Sequence, residues 1–171
     1  VSGSGSGKLV GLAAMNTVAE AGKVQVITSY EKAAAVFGAD GTQGMAELIR
    51  LVLKNGARGV AAVAVADSGG YEAAFEALNG VEEVSIVLCD STERSVQQAL
   101  RDSVIQASAA RKERIAVLAG GGEESVENLI LRAKGLNHER VVLVAPGGVD
   151  TAGNSVSGVP VAAAVAGAIA G

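Results

Sequence analysis

Short apolar runs alternate with amphipathic stretches along almost the whole chain, which is the pattern of strand and helix in turn. The first two runs fall at 8–14 and 23–28, separated by a loop around Glu20, Ala21 and Gly22. Thr28 and Glu31 have capping-box spacing, so a short helix is predicted over 29–37, closed by Gly38. A longer helix is predicted over 42–55. Its Met45, Leu48, Ile49, Val52 and Leu53 keep one apolar stripe, and Gly56 supplies the carboxyl-terminal cap.

From Arg58 onwards the alternation becomes regular. Strands are predicted at 59–66, 84–89, 114–119 and 140–145, each reading, apart from Ser85 and the leading Arg114 and Arg140, as a continuous apolar run of the kind buried on both faces in a parallel sheet. Helices at 71–78, 93–111 and 123–134 are long enough to serve as crossovers. The last helix, 159–170, carries small residues on nearly every face. Right-handed crossovers then give the expected fold class: α/β, a three-layer sandwich with a mostly parallel sheet and helices on both faces.

Composition narrows what such a sandwich can do. Hydrophobic residues make up 49% of the 171, yet Trp is absent and the aromatics are only Tyr30, Phe37, Tyr71 and Phe75. Core volume must come from Ala, Val, Leu and Ile. Fourteen basic residues against 18 acidic ones leave a net charge of −4, so no electrostatic footprint for nucleic acid or an anionic membrane is present. No apolar run reaches the roughly 18 residues of a membrane span. Cys89 and His138 are single residues of their kind, which removes most zinc and triad chemistry. Residues 1–7 alternate Ser and Gly and are expected to be a flexible segment or linker, followed by one core unit over 8–171.

In an open α/β sheet, ligands bind outside the carboxyl ends of the strands, so chemistry is expected in the loops there. Asp67-Ser68-Gly69-Gly70 has the composition of an anion nest, but with no basic neighbour a turn and helix cap is the simpler reading. Asp90-Ser91-Thr92 begins like a metal-ion adhesion motif. Arg94 stands where that motif needs Ser, and Thr92 breaks a phosphatase-type Asp-x-Asp, so Ser91 or Thr92 is expected to cap the next helix. Gly120-Gly121-Gly122-Glu123-Glu124-Ser125 sits where a dinucleotide fingerprint belongs, but Ser125 replaces its third glycine. Its two carboxylates, expected in the first helical turn, would repel a pyrophosphate. Ala145-Pro146-Gly147-Gly148-Val149-Asp150 offers one ionisable group and no acid and base pair.

Three further features are near misses. The segment from Gly3 to Lys8 imitates a phosphate-binding loop, but Ser2 and Leu9 occupy its first and last signature places. His138 is expected to be a solvated loop residue, and Cys89 a small buried hydrophobe. The expectation is therefore no catalytic, cofactor-binding or metal-binding residue and no cofactor. The alternative is a small nucleotide- or metal-binding α/β domain using Asp90 and the loop of Gly120, Gly121 and Gly122.

Several segments, taken in order, resemble the central domain of contractile phage tail sheath proteins. They are Lys8-Leu-Val-Gly-Leu-Ala, then Val24 to Thr28 with Ser29-Tyr30 leading to Phe37-Gly38, then Leu53-Lys-Asn55-Gly56-Ala57-Arg58 before an apolar strand. The most specific block starts at Arg140-Val-Val-Leu-Val-Ala145-Pro146-Gly147-Gly148. It passes through Gly153-Asn154 and Ser157 to Pro160-Val-Ala-Ala163-Ala164-Val-Ala-Gly167. Family members often carry a second Arg where this chain has Val63-Ala64-Val65.

The resemblance implies a structural protein of phage or prophage origin, not an enzyme. It implies a subunit that polymerises around a tail tube and contracts to drive injection. The partners implied are other sheath subunits, a tail tube protein, and baseplate and tail terminator proteins, with no nucleic acid or membrane partner. The place implied is the virion tail, assembled in the bacterial host cytoplasm. By the same resemblance 8–171 is a core fragment lacking terminal arms, which join subunits by strand addition, and a C-terminal domain. The family's core is described as subtilisin-like, and Ala163-Ala164-Val165-Ala166-Gly167 is similar to the helix bearing the subtilase nucleophile. That register places the nucleophile at Val159, with Ser157 out of register; no Asp-x-Gly follows the opening strand at 8–14, and no His-Gly-Thr-His segment exists. A Ser-His-Asp arrangement therefore cannot be assembled.

Overall fold

The computed structural model describes residues 8–39, 44–122, 124–144, 147–149 and 151–171. The expected linker 1–7, residues 42 and 43 of the predicted long helix, and Glu123, Ala145, Pro146 and Asp150 lie outside the described residues.

The chain runs β1 (Leu9–Met15), β2 (Val24–Ile27), α1 (Tyr30–Phe37), α2 (Met45–Lys54), β3 (Gly59–Val65), a single 3₁₀ turn (Ser68–Gly70) and α3 (Tyr71–Asn79). It continues with β4 (Val84–Cys89), α4 (Arg94–Ala109), β5 (Ile115–Ala119), α5 (Val126–Gly135) and β6 (Val141–Val144). The last elements are β7 (Gly148–Val149), β8 (Ser155–Val156) and α6 (Val159–Ala170). Six strands form one sheet in the order β2-β3-β1-β4-β5-β6, and β7 and β8 form a small antiparallel pair within what the sequence shows only as a polar loop. The fold class is the α/β expected, and the sheet is parallel except for β2, which runs antiparallel to β3 at one edge.

Both faces of the sheet are buried by alternation along each strand. On β3, Val60, Ala62 and Ala64 point to one core with Val10, Leu12 and Leu88, covered by α1, α2 and α6. Ala61, Val63 and Val65 point to the other, which contains Tyr71, Phe75, Leu78, Leu100 and Val104 from α3 and α4. Small side chains let backbones approach closely. On α6 a Cβ at Gly167 would overlap the Val52 carbonyl oxygen of α2 and lie 3.0 Å from Asn55 Cβ. This accounts for the Ala and Gly content of α6 as packing, in line with its sequence. The amino end of β1 is fastened to the same helix, since Lys8 N donates to Ala170 O at 3.1 Å.

Several boundaries differ from the sequence expectation for local physical reasons. Ser29, not Thr28, is the N-cap of α1, its hydroxyl accepting from Lys32 N at 3.3 Å. The cap of α4 is Glu93, whose side chain makes no capping bond. Ser91 Oγ instead accepts from Glu93 N at 3.2 Å, before the helix begins. Helix α5 starts at Val126 because Ser125 is its N-cap, accepting from Asn128 N at 3.2 Å. Glu124 therefore precedes the helix and does not lie in its first turn.

Candidate functional site

After β1 the chain departs to the α1 and α2 face, and after β4 it departs to the α4 face. The crevice between the carboxyl ends of β1 and β4 is thus the switch point where an open α/β sheet would hold a ligand. Here that crevice is occupied by the protein itself. Asp90, directly after β4, accepts from Met15 N at 3.0 Å through one carboxylate oxygen and from the Tyr71 hydroxyl at 2.5 Å through the other. Burial raises the Asp90 carboxyl above its ordinary value, against the opposing pull of the Tyr71 and Met15 bonds. Burial, followed by the bond to Asp90, likewise raises the Tyr71 phenol. Next to them Asn16 is buried, donating to Phe37 O at 2.8 Å while its side-chain oxygen accepts from Val18 N and Ala19 N, both at 3.0 Å.

Along the same edge, the loops after β4 and β5 are joined by a buried polar network. Arg132 of α5 pairs with Glu124 at 3.0 Å, their side chains only 7% and 8% exposed. Arg132 Nη1 also donates to Thr92 O and, at 2.7 Å, to Gln97 Oε1. Gln97 Nε2 donates in turn to Ala119 O at 2.7 Å and Ser91 O at 3.2 Å, and Glu124 accepts from Gly121 N at 3.1 Å. Every strong hydrogen-bonding group in this set is matched by another, which is what a buried polar cluster needs to persist.

The glycine-rich loop beside it packs on the segment before α6. A Cβ on Gly122 would sit 2.5 Å from Ser155 Oγ and 3.1 Å from Val156 O, and one on Gly147 would overlap Val156 O and lie 2.6 Å from Gly122 Cα. Gly158 N donates to Gly120 O at 3.0 Å. These glycines serve close backbone approach, the space a phosphate would need being filled by chain.

The other candidate residues are dispersed. Asp67 caps the 3₁₀ turn, accepting from Gly69 N at 2.9 Å. Cys89 is buried in the sheet with its thiol pushed up to about 12 by burial. His138 is half-buried rather than fully solvated, and its Nδ1 accepts from Arg140 N at 3.1 Å in the turn before β6. Val159 is buried at the first turn of α6, and Ser157 Oγ accepts from its N–H at 3.3 Å. Among the described residues no group of three or more His, Cys, Asp or Glu is placed to hold a metal.

Open clefts occur away from this edge. One groove of about 540 Å³ lies between α3 and α4 beside Glu76, Asp102 and Lys112, and clefts of about 360 and 320 Å³ lie at the amino-terminal edge around Lys8. At that edge Arg114 is fully buried, donating to Leu78 O at 3.0 Å and Val81 O at 3.2 Å, and desolvation lowers its pKa.

The sequence marks Glu124 only as a first-turn carboxylate, and it gives Arg132, Gln97, Asn16 and Arg114 no site role. One signal existed for Arg132: it lies four residues before Leu136, the buried apolar residue of that stretch, and so on the inward helical face.

The sequence model for the phage tail sheath protein central domain matches residues 64–171. The chain belongs to that family. Solved structures share the fold of this sheath central domain across nearly its whole length. The helical sheath of the anti-feeding prophage in its contracted state is 16% identical at a TM-score of 0.65, over 95% of this chain and 46% of the other. A sheath tail protein from Desulfitobacterium hafniense is 13% identical at a TM-score of 0.68, over 98% and 59%. One from Listeria innocua is 12% identical at 0.67, over 98% and 57%. The sheath domain thus spans about half the length of the structures it matches. No curated protein sequence matches it.

Proposed function

We propose that this chain is the rigid core of a tail sheath subunit. The subunit polymerises around a tail tube and passes from an extended to a contracted array to drive injection. The observation that carries this reading is the family match over 64–171. It is supported by the filled switch-point crevice, where Asp90 is held by Met15 and Tyr71, Arg132 by Glu124, Thr92 and Gln97, and the glycine loops pack on the segment before α6, so that among the described residues these groups are engaged within the chain. On this reading the chain is not an enzyme, contributes no catalytic, cofactor or metal residue, and uses no cofactor.

The reading makes residues 8–171 the core unit of a longer polypeptide and 1–7 a linker into it. Its partners are other sheath subunits, the tail tube protein, and baseplate and terminator proteins, without nucleic acid or membrane. Its place is the virion tail, after assembly in the host cytoplasm. The physical demand on such a part is rigidity: contraction switches interfaces between bodies that keep their shape. A sheet buried on both faces by small aliphatic residues meets that demand.

Negative-stain microscopy of the full polypeptide expressed with its tail tube protein tests the reading. Tubes of sheath on tube are expected; persistent monomers at high concentration overturn it. A thermal shift on adding nucleotide with Mg²⁺, abolished by Asp90→Ala, would instead favour a ligand-binding domain.

A further inference from the structure

We propose that the groove between α3 and α4 is a docking site for a cationic helix of a partner protein. The groove, about 540 Å³, has Phe75, Ala99 and Ala107 along its floor. Glu72 and Glu76 border it on the α3 side and Asp102 on the α4 side. Phe75 and Ala107 are buried and Ala99 half-buried, so the floor is an outer surface of the apolar core. The two walls are tied together, since Asn79 Nδ2 of α3 donates to Ser103 Oγ of α4 at 3.0 Å. A groove held in this way is formed before anything enters it. On α4 the small residues Ala99, Ser103 and Ala107 recur every four positions, leaving a trough in which a second helix can lie at close range. From Ala99 to Ala110 the trough follows α4 for roughly 16 Å, about three helical turns.

Charge decides which helix fits. Glu72 and Glu76 stand four residues apart on one face of α3, where like charges repel. Both are exposed, and among the described residues neither joins an ion pair. Across the groove Asp102 is paired with its chain neighbour Arg101 at 3.0 Å. Lys112, the one cation lining the groove among the described residues, is engaged by Asn79 O at 3.3 Å, at the carboxyl end of α3. A repelling pair on the rim of an apolar trough is relieved by an occupant that brings cations to the rim and small apolar side chains to the floor. An acidic helix would add to the repulsion.

The probe is an Ala-rich peptide of roughly 16 residues with Lys at every fourth place, long enough to be partly helical. It is titrated into the chain at low salt, where exposed charges act at longest range, and followed by amide NMR shifts. Shifts centred on Phe75, Ala99 and Ala107 are expected, with a Kd below about 1 mM. Glu72→Gln combined with Glu76→Gln should weaken binding by about tenfold. Glu20→Gln combined with Glu31→Gln makes the same charge change at exposed positions away from the groove and should leave binding unchanged. Gln106→Trp fills the trough at an exposed position without altering charge and should abolish binding, with Ala110→Trp as its substitute if circular dichroism shows a lost fold. Four results overturn the proposal. They are no shift up to about 1 mM peptide, equal weakening by the Glu20 and Glu31 changes, full affinity in the folded Trp variant, or binding as tight by spermine or by the same peptide with a central Pro. The last would mean that the site takes positive charge of any shape and no helix. The sheath reading rests on the family match and stands or falls apart from all four.

Discussion

Removing either partner of the Arg132–Glu124 pair should be among the most destabilising single changes available in this domain. Glu124→Leu leaves a buried guanidinium that keeps Thr92 O and Gln97 Oε1 but loses its counter-charge. Arg132→Leu does more: it strands the Glu124 carboxylate with Gly121 N as its remaining donor here, and it leaves Thr92 O and Gln97 Oε1 without theirs. Breaking one side of a buried pair costs about 3–5 kcal/mol, and Arg132→Leu should fall at the upper end. For a domain of this size that is a fall in Tm on the order of 10 °C. The double variant removes both charges and should recover a large part of the loss, because apolar replacement of a whole buried pair is often close to neutral. Urea unfolding of the four proteins gives the coupling directly. The exposed Arg58–Glu83 pair, at 2.6 Å, is the control and should contribute at most about 1 kcal/mol, falling with added salt. Additive single losses, with a coupling below about 0.5 kcal/mol, would refute the claim that these charges depend on each other.

Three further outcomes follow from other parts of the fold. Gly167→Ala drives a methyl into the Val52 carbonyl, a clash no side-chain rotation relieves; even after the better helix propensity of Ala, a loss of about 1–3 kcal/mol in urea unfolding is expected. Arg111, at the end of α4, has φ 63°, so Arg111→Gly should raise stability by about 0.5–1 kcal/mol, read as a higher urea midpoint at unchanged slope. The folded Asp90 carboxyl holds its proton more tightly than the ordinary value of 3.8, so the stability this proton confers is complete below that pH and is lost as pH rises through the folded value. Asp90→Asn should therefore gain on the unaltered chain across that window and then level off, and a difference in stability that does not change with pH would show that Asp90 is not desolvated.

Much of the architecture was legible because the sheet is buried on both faces. Gly59–Val65 is apolar without interruption and Val84–Cys89 is broken only by Ser85, and a parallel strand between two helical layers uses such runs fully. The antiparallel direction of β2 was not legible: Val24–Ile27 has the same character as its neighbours, and strand direction depends on how α1 and α2 route the chain. Helix starts were misplaced where a side chain was claimed by a distant partner. Glu124 has the sequence of a first-turn acid, but its pairing with Arg132 holds it outside the helix. At the crevice, each loop taken alone was recognisable as a failed binding motif. That the failed motifs fill one another's space was not, since Gly122 meets Val156, Asp90 meets Tyr71, and Arg132 meets Thr92 across separations that no local pattern records.

The place of β1 has a mechanical meaning. The strand lies between β3 and β4 and is paired in parallel with both, and the chain enters it at Lys8. A pull delivered at Lys8 acts along the strand axis, across two ladders whose bonds are then loaded together in shear, not opened one at a time as they would be at an edge. In the proposed sheath role, tension arriving there would be gripped by the middle of the sheet, and the domain would move before it unravelled.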